Sequence, residues 1–361
     1  MPSPDRHAVR IGRGAASNPP GRFEPTHTHA VDDGWAGGEV PAPAAPTSVM
    51  AEAARSIITR NRSPDIPFSQ SINPYRGCEH GCIYCYARPS HAVVGLSPGL
   101  DFETRLFYKR DAAALLRKAL AASGYRCAPI ALGANTDPYQ PIEGRYRVTR
   151  EILETLSACN HPATIVTKGA KLVLRDLELL ADMGRRNLLS VHVSVTTLDR
   201  ALKRRLEPRA SAPAARLSVI RALTGAGVPV GVLVAPVIPA LTDHELENIL
   251  QAAADAGART AHYTLLRLPY EVKTLFRDWL EDHVPLRASH VMARIHELRG
   301  GRDNDPRFGI RHRGQGVFAD LFARRFEVAC RRLGLNRGAP APLDTSAFVP
   351  PQPHTPQRSL F

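Results

Sequence analysis

Long hydrophobic runs are missing from this sequence. No apolar stretch approaches the roughly 20 residues that span a bilayer, so a membrane-spanning chain is not expected. The first 30 residues hold no apolar core ahead of a small-residue cleavage site, so export by a standard signal is not expected either. Cysteine is scarce as well: six in 361 residues are too few for a disulfide scaffold. No Gly-x-Gly-x-x-Gly follows the first candidate strand, which leaves dinucleotide binding without support. Composition is otherwise ordinary, 43% hydrophobic and 22% charged, and this excludes a fibrous or wholly disordered protein. What cysteine there is, however, is concentrated. Cys78, Cys82 and Cys85 fall within eight residues, the pattern of a metal site in a reducing compartment. The expectation is a cytoplasmic metalloprotein.

Charge is one-sided. A formal +13 and a pI near 9.9 point to a polyanion partner, most simply nucleic acid, or to a genome that favours arginine. The most basic region runs from Arg287 to Arg337, with 12 arginines against 5 acidic residues. Phe318, Phe322 and Phe326 recur there every fourth residue and belong on one helix face docked against the body. That arrangement turns Arg324, Arg325, Arg331 and Arg332 outward.

Residues 1–60 read as a disordered N-terminal segment, rich in Pro and Gly with few aliphatics. Residues 337–361 read as a Pro-rich disordered tail. Between them, a body over 61–275 alternates short β-branched runs with amphipathic stretches, and 276–336 reads as a basic helical extension. Strands are predicted at Ile130–Gly133, Ala163–Thr167, Leu189–Thr196, Pro229–Ala235 and His262–Leu266, with one more near Ser69–Asn73. Helices are predicted over Asp111–Ser123, Thr149–Ser157, Ala170–Met183, Ala214–Gly225 and Asp243–Ala256. Thr149 and Thr242 look like capping residues, each with glutamate in the following turn. Strands spaced by helices imply an α/β fold with a parallel sheet: a (β/α)6 partial TIM barrel, or alternatively a doubly wound open sheet.

The stretch that carries chemistry is Asn73-Pro-Tyr-Arg-Gly-Cys78-Glu-His-Gly-Cys82-Ile-Tyr-Cys85-Tyr-Ala-Arg. Three thiolates at C-x3-C-x2-C spacing, with Gly77 and Gly81 to let the backbone curl, can hold a compact cluster of soft metal atoms. Four-iron clusters usually take four cysteines, so three leave one iron open to substrate or cofactor. The alternative is a Cys3His zinc site completed by His80 or His91.

With Tyr84 just before the last cysteine, this motif resembles the radical S-adenosylmethionine (SAM) superfamily. Pro74-Tyr-Arg-Gly-Cys78 and Cys85-Tyr-Ala-Arg are similar to its spore photoproduct lyase-related branch, described as DNA-repair-photolyase-like. The resemblance spans roughly Ser69 to Pro269. It implies a [4Fe-4S] cluster on Cys78, Cys82 and Cys85 whose open iron chelates SAM. It also implies a one-electron donor, flavodoxin- or ferredoxin-like, and reductive cleavage to a 5′-deoxyadenosyl radical that abstracts hydrogen from substrate. Cofactor contacts implied by the resemblance are Tyr84 beside the last cysteine; Thr136 and Asp137 for the ammonium; Lys168 and Arg209 for the carboxylate; Ser194 and Thr196 for the ribose; and Val237 for the adenine. His192 shares the face of Ser194 and Thr196, since alternate strand residues point to one side.

One departure stands out. The lyases carry a hydrogen-donating cysteine before the aspartate of the ammonium loop, and the matching position here is Ala134. The repair activity is therefore not carried over with the resemblance. Two alternatives to a radical SAM enzyme of unknown substrate stay open. One is a lyase acting on damaged DNA; the other is a nucleic-acid-binding protein with a structural or redox-sensing cluster.

Overall fold

A computed structural model describes residues 10–24, 46–338 and 341–352. Its centre is built from Val- and Ile-rich runs, as such runs are the residues that fit a pleated sheet buried on both faces. Six parallel strands result: β1 (Gln70–Ile72), β2 (Ile130–Leu132), β3 (Ala163–Thr167), β4 (Leu189–Ser194), β5 (Val230–Val237) and β6 (Thr260–Leu265). They pair in sequence order from β6 to β1, and Thr59–Arg60 adds an antiparallel edge to β1. A doubly wound sheet reverses its strand order partway; this one never does, so the sheet is the partial barrel. Ile165, Val191, Val193 and Val232 turn to the helix-covered side and are fully buried. Thr164, Val166 and His192 turn to the concave side and are half-buried.

Helices return the chain between strands: α1 (Ala112–Leu120), α2 (Val148–Ala158), α3 (Lys171–Arg175), α4 (Leu177–Arg185), α5 (Arg200–Leu206), α6 (Pro213–Gly225) and α7 (Leu246–Asp255). The helix expected over Ala170–Met183 is split at Asp176, whose buried carboxylate accepts from Arg175 Nε at 2.8 Å and Arg150 Nη1 at 2.7 Å. Thr242 stands at the N-cap of the 3-10 turn Asp243–Glu245 and Thr149 lies inside its helix, and neither side chain makes a cap bond. Thr149 Oγ1 donates to Pro138 O at 2.6 Å, while the buried Glu143 accepts from Thr149 N at 2.9 Å. Thr242 Oγ1 accepts from Ile238 N at 2.9 Å.

Three helices follow the barrel: α8 (Val272–His283), α9 (Pro285–Leu298) and α10 (Val317–Leu333). On α10, Phe322 is buried in the main core, and Phe326 packs on Tyr263 with ring centroids 4.8 Å apart. Arg325, expected to face outward, is instead paired with Glu247 of α7 at 2.6 Å. A helix face one residue from the phenylalanine stripe still overlies α7, so its guanidinium reaches that carboxylate.

Order begins before residue 61. Ser48–Ala51 pairs in parallel with Arg105–Tyr108, which also pairs with Tyr75–Arg76. Ala15 is buried, and Gly14 N and Ala15 N donate to the Glu103 carboxylate at 2.9 and 2.8 Å. Past residue 337, Val349 N donates to Cys159 O at 2.9 Å and Phe348 packs against Tyr125 and His161. These contacts place ordered chain inside both segments expected to be disordered; the remainder of those segments lies outside the described residues. No helix among the described residues is long and apolar enough to cross a membrane.

Candidate active site at the C-terminal edge of the barrel

The three cysteines lie on the loop that leaves β1, at the sheet edge where parallel α/β folds bind ligands. Cys78 and Cys82 are buried, Cys85 is half-buried, and none is in a disulfide. Gly77 and Gly81 make the curl, with φ of 75° and 67°. A Cβ on Gly77 would meet Leu106 Cδ2 at 2.6 Å and His91 Cε1 at 2.8 Å, so a side chain is excluded twice over. Arg88, three residues after Cys85 and fully buried, clamps the loop from below. Its guanidinium donates to the carbonyls of Cys82, Pro98, Gly99 and Gly81 at 2.8–3.2 Å, and to Glu103 at 2.5 Å.

Burial pushes all three thiols up from their ordinary range. Asp137 adds to this at Cys78 and Glu207 at Cys82. Such a site holds neutral thiols when it is metal-free and thiolates only with a compensating cation, which a coordinated metal supplies. Soft donors gathered on one curled loop, unoxidised and shielded from water, fit an iron–sulfur cluster. For the zinc alternative, His91 turns Nε2 to Arg105 O at 2.9 Å and His80 turns Nδ1 to Asp137 Oδ2 at 3.3 Å. Among the described residues no His, Cys, Asp and Glu group closes on a single ion.

Beside the loop, the ends of β3, β4 and β5 meet in one polar network. Lys168 Nζ donates to Ser194 Oγ at 2.7 Å and Ala235 O at 3.2 Å, and lies 3.8 Å from Glu207 Oε1. Thr196 Oγ1 donates to that same carboxylate oxygen at 2.8 Å. Tyr84 OH joins it, bonded to Glu207 and 3.2 Å from Thr196 Oγ1. From the other side the buried Arg216 of α6 pairs with Glu207 and donates to Ser194 O at 2.9 Å. Burial alone would raise the Glu207 carboxyl, but Arg216 and Lys168 bring it down to about 2. The structure thus brings Tyr84, Lys168, Ser194 and Thr196 together around Glu207, an ion that the sequence did not point to. Glu207 and Arg216 carry one signal between them, a carboxylate and a guanidinium flanking a helix start nine residues apart.

The other expected residues sit differently. Asp137 is half-buried, and its carboxylate accepts from Tyr139 N (2.8 Å), Thr167 Oγ1 (2.7 Å) and Lys168 N (2.6 Å). His80 and these donors hold it below the ordinary range despite burial, which acts to raise it. Thr136 Oγ1 donates to Tyr75 O at 2.8 Å, and Arg209 pairs with Glu79 at 2.7 Å, next to Cys78. Val237 is buried in the main core at the end of β5.

Comparison with known proteins agrees with this geometry. The family model of the radical SAM superfamily matches residues 72–253, half of the chain. An uncharacterised Mycobacterium tuberculosis protein is 40% identical over 235 residues, covering 64% of this chain and 68% of its own. An uncharacterised Methanocaldococcus jannaschii protein is 26% identical, covering 59% of this chain and 76% of its own. Among solved structures, spore photoproduct lyase complexed with dinucleoside spore photoproduct shares the fold with a TM-score of 0.57 at 17% identity, over 80% of each chain. A variant of that lyase with bound AdoMet and dinucleoside spore photoproduct matches with a TM-score of 0.55 over the same shares. The chain is therefore an enzyme of the radical SAM superfamily, whose members use a [4Fe-4S] cluster and S-adenosylmethionine.

Proposed function

We propose that this enzyme binds SAM against a cluster held by Cys78, Cys82 and Cys85 and uses it to abstract hydrogen from a substrate. The observation that carries the reading is the single-loop thiol set facing the Lys168–Glu207–Tyr84 network. When bound, the cofactor pair supplies a 5′-deoxyadenosyl radical by one-electron reductive cleavage of the sulfonium. The chain's own residues do the rest. Lys168 is a cation fixed at one position by Ser194 and Ala235, suited to a carboxylate. Ser194 and Thr196 present hydroxyls on the same concave face, suited to a diol. A carboxylate accepts about four hydrogen bonds, and Asp137 already has three donors and His80 around it. It therefore acts on the pocket by fixing the loop after β2 against Thr167 and Lys168, with Thr136 pinning the same loop to Tyr75. Arg209 neutralises Glu79 beside Cys78, and Val237 backs the pocket from the core.

The electron must come from outside the chain, and a flavodoxin- or ferredoxin-like protein in the cytoplasm suits a reduced thiol site. The repair-lyase alternative draws support from the shared fold, but Ala134 offers no thiol. Cys159 and Cys330 are buried in the main core, away from the loop. The test is deuterium transfer from labelled substrate pools into 5′-deoxyadenosine. Label appearing there identifies the substrate; SAM cleavage with no label from any pool, thymine-labelled DNA included, would refute hydrogen abstraction from those substrates.

A further inference from the structure

Among the described residues, one guanidinium at the barrel mouth has no hydrogen-bond acceptor. Arg267 follows β6, is half-buried, and its Nε is shielded from solvent with no hydrogen-bond partner among the described residues. Its contact is the ring of Tyr86, 5.5 Å from the guanidinium carbon. Tyr86 directly follows Cys85 and spans the mouth to bond the carbonyl of Ala134 after β2. Arg267 therefore stacks on the residue next to a cysteine ligand, at the opening through which a substrate must approach.

Its surroundings are cationic. Arg311 is close by, but Asp65 holds it bidentately at 2.8 and 2.5 Å. Arg299 lies beneath, fully buried, with its donors given to the carbonyls of Leu265, Leu266, Ile310 and Arg311. His312 Nε2 is buried without a hydrogen bond, 3.8 Å from Asp65. Arg299 also has Asp305 nearby, whereas the carboxylate near Arg267 is Asp65, which is already committed to Arg311. Burial and Arg311 push the Arg267 guanidinium down, and Tyr86 and Asp65 offset this only in part. An unmatched charge of this kind is costly unless something fills the place opposite it.

We infer that Arg267 anchors a phosphate group of the substrate at the mouth, beside Tyr86. The planar fork of arginine matches two oxygens of one anion. The neighbouring Arg311 and Arg299 guanidiniums add to the positive field around that fork, which favours an anion opposite it. The inference rests on the proposed radical chemistry only in treating the mouth as the substrate's entrance. It is shared by two sources, a phosphodiester of a polynucleotide and a phosphate monoester of a small metabolite.

Calorimetry on the reconstituted full chain separates them, with inorganic phosphate, thymidine 5′-monophosphate and thymidylyl-thymidine as probes and uncharged thymidine as the reference. At least one phosphate probe should bind more tightly than thymidine, and Arg267→Gln should weaken it about tenfold or more. Arg267→Lys, which keeps the charge without the fork, should fall between. Arg324→Gln, which removes an exposed charge on α10, should leave binding unchanged. Preference for the monoester and inorganic phosphate assigns a small metabolite; preference for the diester assigns a polynucleotide. Equal binding of every phosphate probe by wild type and Arg267→Gln, or no preference over thymidine, overturns the inference. Iron content of each variant checks that the fold is kept. Failure of SAM cleavage in the wild type would strike the proposed chemistry, and leaves the anion result standing on its own.

Discussion

Arg88 and Glu103 form a fully buried ion pair, Nη2 to Oε1 at 2.5 Å, inside the loop that carries the three thiols. Arg88 turns the loop carbonyls inward, and Glu103 ties the loop to the N-terminal residues Gly14 and Ala15. The Cys85-Tyr-Ala-Arg88 sequence thus holds a loop thiol and its own support, separated by two residues.

Removing one member of such a pair strands the other charge in the interior. Arg88→Ala should cost about 3–5 kcal/mol, read from the urea midpoint at constant slope. The same variant should bind sub-stoichiometric iron. Arg88→Met with Glu103→Gln should recover much of the stability, as the stranded charge is gone. A single variant with wild-type stability would show that the carbonyl cage does not hold the loop.

Glu207 gives a pH signature. Its carboxyl is held at about 2 against an ordinary value of 4.5, so the folded state binds the proton more weakly than the unfolded state. The stability it contributes is full above about pH 4.5 and is lost as pH falls toward 2. The stability gap between wild type and Glu207→Gln should therefore shrink by roughly 3 kcal/mol between pH 5 and pH 2. Urea titrations of both proteins across that range check it, and a gap independent of pH would remove Glu207 from the ionised network.

Asp137 holds the loop after β2 through two backbone N–H groups and a hydroxyl. Asp137→Ala should lower stability by about 2–4 kcal/mol, because buried donors lose a charged acceptor. Weaker SAM binding should accompany that loss. Full stability with weakened SAM affinity would instead make Asp137 a direct cofactor ligand.

Neighbouring arginines on α10 should behave differently. Arg325→Glu places like charge against Glu247 and should lower the melting temperature by a few degrees. Arg324→Glu, exposed on the same helix, should change it little.

Much of this was legible because periodicity reports burial. Ala163–Thr167 was bounded to the residue, and β4, β5 and β6 to within two residues, since parallel strands buried on both faces read as continuous β-branched runs. Cysteine spacing marked the thiol loop for a different reason: Cys78, Cys82 and Cys85 lie within one turn-rich segment. The central ions were not legible. Arg88 and Glu103 are 15 residues apart, and Lys168 and Glu207 come from different crossovers. Nothing local marks such charges as partners until the sheet brings strand ends together. The packing of residues 10–24 was hidden likewise, because backbone N–H groups of Gly14 and Ala15 bind Glu103 and backbone donors leave no trace in composition.

The central claim is that Cys78, Cys82 and Cys85 together hold the cluster at which SAM is cleaved. The most direct measurement is 5′-deoxyadenosine formed by the anaerobically reconstituted protein with SAM and dithionite, quantified by mass spectrometry. The wild type and the Cys127→Ala, Cys159→Ala and Cys330→Ala variants should form it. Alanine at Cys78, Cys82 or Cys85 should abolish it along with the iron. A wild-type protein with a full iron complement and no 5′-deoxyadenosine, or undiminished product from any of the three loop variants, would contradict the account.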